Sequence, residues 1–96
     1  MPGGRGGDED AILDLAFDPK LAVPKKRSLT IAGHRTSITL EDAFWHELRA
    51  VAECSGVSVT ALTAAIDSMR GAAGLSAAIR VFLLTRLREL PSNASE

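Results

Sequence analysis

The run from Arg35 to Thr60 constrains this chain more than any other part of its 96 residues. It reads Arg-Thr-Ser-Ile-Thr-Leu, then Glu-Asp-Ala-Phe-Trp-His-Glu-Leu-Arg-Ala-Val-Ala-Glu-Cys, then Ser-Gly-Val-Ser-Val-Thr. The first piece alternates like a strand, the second is a helix of about four turns, and Gly56-Val57-Ser58 breaks it before a second helix. A lone short strand leaves its backbone groups without partners, so it needs a second strand. The nearest one is the same strand in another copy of the chain. Two such strands form a ribbon narrow enough for the major groove of DNA. The order of elements therefore predicts an obligate homodimer, mainly α with a short β-ribbon, that reads nucleic acid.

Upstream of that run, Leu29 and Ile31 alternate with Ser28, Thr30 and Ala32, which is again a strand pattern. Across Gly33 the apolar parity flips from odd (Leu29, Ile31) to even (Thr36, Ile38, Leu40). A two-residue turn at Gly33-His34 produces such a flip, pairing Ala32 with Arg35, Ile31 with Thr36, Thr30 with Ser37 and Leu29 with Ile38. Leu29 and Ile31 then share a face with Ile38 and Thr36. The pattern fits a hairpin. It equally fits an extended arm at residues 28–33 lying along a DNA backbone.

Glu41 and Asp42 open the first helix, where carboxylates suit the positive end of the helix dipole. Phe44, Leu48, Val51, Ala52 and Ser55 form the stripe of a core-facing helix, with Trp45 one position aside. Gly56 is placed to cap its C-terminus, and Ser58 to cap the next helix. That second helix carries Val59, Leu62, Ile66 and Met69 on one face and the small Ala61, Ala64 and Ala65 beside them. Gly71 to Gly74 is a break. A third helix from Ser76 to Leu90 places Ile79, Phe82, Leu83, Leu87 and Leu90 on one side, with Val81 and Leu84 on the other. So apolar a helix in so small a chain is expected between subunits.

The folded unit is expected over residues 25–90, after an acidic leader (1–24) and before a polar tail (91–96). The leader holds two basic side chains against five acidic ones, whereas residues 25–90 hold nine against six. The local field near a site matters more than the total charge of −1. Within the leader, the apolar run 11–17 ends at Asp18-Pro19 and reads either as a transient turn or as a docking segment. A single cysteine, Cys54, rules out an internal disulfide and suits a reducing cytoplasm. No run is long and apolar enough for a membrane span, and the Gly-rich start has no signal-peptide pattern. His34, His46 and Cys54 lie in different elements without ligand-like spacing, so neither a metal nor another cofactor is expected. No nucleophile–base pair or carboxylate pair stands out, so an enzyme is not expected.

On these residues the chain resembles the ribbon-helix-helix proteins of the Arc/MetJ superfamily. It is most similar to bacterial members that open with a phrase like the one from Ser28 to Trp45, and the likeness runs from Lys26 to Arg88. The resemblance implies an intertwined homodimer, with an extra C-terminal helix, whose intermolecular antiparallel ribbon enters the major groove of double-stranded DNA. It places base reading on Arg35, Ser37 and Thr39. Strand periodicity independently turns these three outward if Ile38 and Leu40 face the core. Arginine suits guanine O6 and N7, while serine and threonine donate or accept. The resemblance also implies a phosphate clamp at the start of the second helix, at Ser58, Val59 and Thr60, where free N–H groups and the dipole favour anions. Lys25, Lys26 and Arg27 either add backbone contacts or form a soluble linker. Ile38, Leu40, Phe44, Leu48, Leu62, Ile66 and Phe82 are the expected dimer core.

Two function classes follow. One is a cytoplasmic transcriptional regulator. The other is an interaction module, antitoxin-like or an adaptor, whose acidic head (Asp8–Asp18) holds a protein partner. A hairpin over residues 28–39 would make the dimer's sheet four-stranded, wider than the two-stranded ribbon the groove admits, so the outer strands would have to bend away or the mode of reading would change.

Overall fold

A computed structural model of the chain describes residues 16–90. Residues 1–15, which hold most of the acidic head and of the apolar run 11–17, and the polar tail at 91–96 lie outside the described residues. A short 3-10 turn, Pro19–Ala22, comes first; Asp18 caps it by accepting from the Lys20 N–H at 3.0 Å. It packs on the first helix, ahead of the boundary at residue 25 expected from the sequence.

Two strands follow, β1 (Pro24–Ile31) and β2 (His34–Glu41), paired antiparallel. The region before Arg35 is therefore a hairpin strand and not an arm. The turn, however, is Ala32-Gly33 and not Gly33-His34. Ala32 has φ 52° and Gly33 φ 81°, the two positive values a twist-matched two-residue hairpin turn requires. Ile31 accordingly faces His34, Leu29 faces Thr36 and Arg27 faces Ile38. The register is offset by two residues from the expected one. An offset of two leaves every side chain on its expected face, so Leu29 and Ile31 still share a face with Thr36 and Ile38.

Helix α1 (Asp42–Ser55) leaves β2 directly. It ends at Gly56, whose φ of 73° lets its N–H reach the Ala52 and Glu53 carbonyls. Helix α2 (Val59–Met69) starts under the Ser58 cap, whose Oγ accepts from the Ala61 N–H at 3.0 Å. Between α1 and α2 the chain bends by 102°. Helix α3 (Leu75–Glu89) follows a short break that begins at Arg70 and Gly71. No single helix among the described residues is long and apolar enough to cross a membrane.

The core closes within one chain. Ile38, Leu40, Leu48, Val51, Ile66, Ile79 and Leu83 are buried together, with Phe44, Leu62 and Phe82 half-buried against them. Thr63 is the buried polar side chain among the described residues, and its hydroxyl donates to the Val59 carbonyl at 2.7 Å. That bond satisfies a group that would otherwise be costly to bury. The expected inner face of α3 is only half right. Ile79 and Leu83 are buried, but Leu87 and Leu90 are more than half exposed, as are Val81 and Leu84. The last turns of α3 run past the buried cluster, where Leu87 only borders a groove with Ala43, Phe44 and Glu47 of α1.

Candidate nucleic-acid interface

Strand parity builds the outer face of the hairpin. Because Ile38 and Leu40 are buried under the helices, Arg35, Ser37 and Thr39 must emerge on the opposite side; all three are exposed. Their cross-strand partners are Thr30, Ser28 and Lys26, and these are exposed as well. Each chain thus presents a six-residue polar face with two cations and four hydroxyls. From the sequence, Lys26 belongs only to a basic run, and Ser28 and Thr30 carry no role. Their parity, opposite to that of Leu29 and Ile31, is the signal that puts them there.

The basic run Lys25-Lys26-Arg27 is divided by the same alternation. Lys25 and Arg27 turn to the inner side, where both bind Asp42. Lys25 Nζ lies 2.8 Å from Oδ2, and Arg27 Nη2 donates to Oδ1. The Arg27 guanidinium also lies 4.7 Å from the centre of the Trp45 ring, a favourable cation–π distance. Trp45 is therefore half-buried packing beneath a cation. Lys26 alone of the three reaches the outer face. Sequence spacing could not show the clasp, since its partners stand 15 and 17 residues apart.

A second clasp holds the other end of the junction. Arg80 of α3 donates from Nε to Glu41 Oε1 at 2.9 Å and from Nη2 to Oε2 at 3.2 Å, and Nη2 also reaches the Thr39 carbonyl at 3.3 Å. The Ser76 hydroxyl accepts from the Thr39 N–H at 3.1 Å. A two-pronged arginine–carboxylate pair fixes geometry as well as charge. Together these contacts fix the strand-to-helix corner and the end of β2.

Both carboxyls are held below the ordinary carboxylate range. For Glu41 the main cause is the Arg80 hydrogen bond. For Asp42 it is the Lys25 hydrogen bond first, opposed by desolvation, and then that of Arg27. A folded-state value below the unfolded one stabilises the fold above the unfolded titration range, about pH 4. That contribution is lost as pH falls through the folded value. We expect the urea midpoint to drop on acidification below about pH 5, and to drop less steeply in Asp42→Asn. Superimposable profiles for the two proteins would show that the clasp does not contribute.

At the start of α2, Ser58 is exposed, Val59 and Thr60 are half-buried, and α2 packs against β1. The Ser58 side chain is occupied with Ala61. The Val59 and Thr60 N–H groups are among the first of a helix, which have no partner inside it. No group of His, Cys, Asp or Glu among the described residues is arranged to hold a metal ion. Cys54 is free and exposed.

Residues 24–87 match the family model for the ribbon-helix-helix domain. No curated protein and no solved structure matches the chain. The match begins where β1 begins and takes in both strands, α1, α2 and nearly all of α3. Over that span the chain belongs to the ribbon-helix-helix domain family.

Proposed function

We propose that this protein is a homodimeric DNA-binding regulator of the cytoplasm that presents Arg35, Ser37 and Thr39 to base edges in the major groove. The observation that carries the reading is their shared exposure on a strand whose second edge is open, in a ribbon-helix-helix domain. An open strand edge is a template for pairing with another chain, and the dimer ribbon would form there. Arg35 supplies the strongest contact, a two-pronged bond to guanine. Lys26 and the free N–H groups at Val59 and Thr60 would hold phosphates. Lys25 and Arg27, engaged with Asp42, are left out of that role. So few phosphate contacts imply modest non-specific binding and a shallow salt slope.

The test is binding of the full chain to its own upstream DNA and to random duplex across a salt series. We expect tighter binding upstream, weakening with salt. Arg35→Ala should remove the preference, at about 1–3 kcal/mol for each guanine that is no longer read, while the dimer persists. Equal binding of both duplexes by the unaltered protein would overturn sequence reading. One observation favours the interaction module instead: Val81 and Leu84 are exposed on the outer side of α3, and Leu87 and Leu90 are exposed at its end, past the core. Absence of DNA binding even at low salt would select that reading.

A further inference from the structure

The backbone of β2 carries information beyond its side chains. Ile31 and His34 close a two-residue turn, so they form a hydrogen-bonded pair. Hydrogen-bonded and non-bonded pairs then alternate down the hairpin. Thr36, Ile38 and Leu40 therefore point their N–H and C=O groups at β1. Arg35, Ser37 and Thr39 point theirs at the open edge. The contacts of Thr39 agree, because both of its backbone groups meet α3 and not β1. Its N–H goes to Ser76 and its carbonyl to Arg80. Among the described residues of the strand, only Arg35 and Ser37 are left with both groups free for a second strand.

We propose that α3, by holding Thr39, sets the register of the intermolecular ribbon so that its two-fold axis passes between Thr36 and its copy in the partner subunit. This rests on the ribbon dimer proposed above. Centred on Thr36, Arg35 of each chain faces Ser37 of the other. Four hydrogen bonds then use every free group at the edge, and Thr39 keeps its contacts with Ser76 and Arg80. Centred on Ser37, Arg35 would instead face Thr39, and both clasps on Thr39 would have to break. The register decides what is read. With strands about 4.8 Å apart and about 3.3 Å per residue, the two Arg35 Cα atoms stand roughly 8 Å apart in the first case and roughly 14 Å in the second. At about 3.4 Å per base pair, the proposed register brings the two arginines to bases about two steps apart. Thr39 is moved to the rim of the reading face.

Cross-linking separates the two registers. In a Cys54→Ser background of the full chain, Thr36→Cys and Ser37→Cys are each oxidised and run without reductant. In the proposed register the Thr36 pair lies at about 4.5 Å between Cα atoms, within disulfide reach, and the Ser37 pair at roughly 8 Å, beyond it. We expect Thr36→Cys to form a covalent dimer and Ser37→Cys to remain monomeric on the gel. Adding Ser76→Ala, which frees the Thr39 N–H, should raise the Ser37→Cys cross-link. A Ser37→Cys dimer without a Thr36→Cys dimer would overturn the register. An unchanged Ser37→Cys result in Ser76→Ala would overturn the role of α3. Failure to cross-link in both variants, with a dimer still seen by ultracentrifugation, would place the interface elsewhere. None of these readouts involves DNA, so failure of the regulator reading is seen separately in the binding assay.

Discussion

Ile38→Asp is expected to abolish the fold. Ile38 is 3% exposed and sits in the buried cluster with Leu40, Leu48, Ile66 and Ile79. The cation nearest it is Arg27, its cross-strand neighbour, whose guanidinium is already held by Asp42 and stacked on Trp45, so a second carboxylate there would compete with Asp42 and leave one buried charge poorly paired. Burying an unpaired charge costs many kcal/mol, or forces the group to take up a proton. A domain of this size has only about 5–15 kcal/mol to lose. The variant should show no cooperative unfolding transition and little helical circular dichroism at any protein concentration. Ile38→Val, which removes one methyl group, should cost about 0.5–1.5 kcal/mol and stay folded. Because Ile38 is buried by its own chain, concentrating the protein should not rescue Ile38→Asp. A folded, soluble Ile38→Asp protein would contradict the single-chain core.

Ile79→Ala is expected to be the most damaging truncation in α3. Ile79 is fully buried and belongs to the same cluster, so α3 completes the core and is not an appendage. Removing three carbons from a site closed on all sides leaves a cavity, and such changes cost about 2–5 kcal/mol. With about 4–8 °C per kcal/mol in a domain this small, the melting temperature should fall by at least about 10 °C. Leu84→Ala is the comparison. Leu84 is 54% exposed, and a surface change of that kind stays within about 0.5 kcal/mol. Equal losses in the two variants would mean that the outer side of α3 is covered in the assembled protein.

The elements that were legible in the sequence are those set by local chemistry. Gly56 and Ser58 mark the end of α1 and the start of α2, since one supplies a positive φ and the other a side-chain acceptor for a free N–H. Period-two alternation turned Arg35, Ser37 and Thr39 outward and Ile38 and Leu40 inward. The flip of parity at Gly33 announced a turn. Parity alone cannot distinguish registers that differ by two residues, because both keep the same faces. The positive φ of Ala32, set by hairpin twist, selected the observed one. A non-glycine residue in that conformation is uncommon, so the sequence carries no signal for a turn that opens at Ala32.

What only the tertiary structure decided involves residues far apart in the chain. Asp42 draws Lys25 and Arg27 inward and leaves Lys26 outside. Arg80 and Ser76 reach across 37 to 41 residues to Glu41 and Thr39, so the open edge of β2 is shorter than the strand. Neither arrangement has a local signature, because a side chain's partner depends on which elements the fold brings beside it. The amino-acid pattern by itself determined the order of strands and helices and which side chains face outward, through backbone periodicity. The packing of α3 decided which backbone groups of that outer strand remain free, through hydrogen bonds that only a closed core can position.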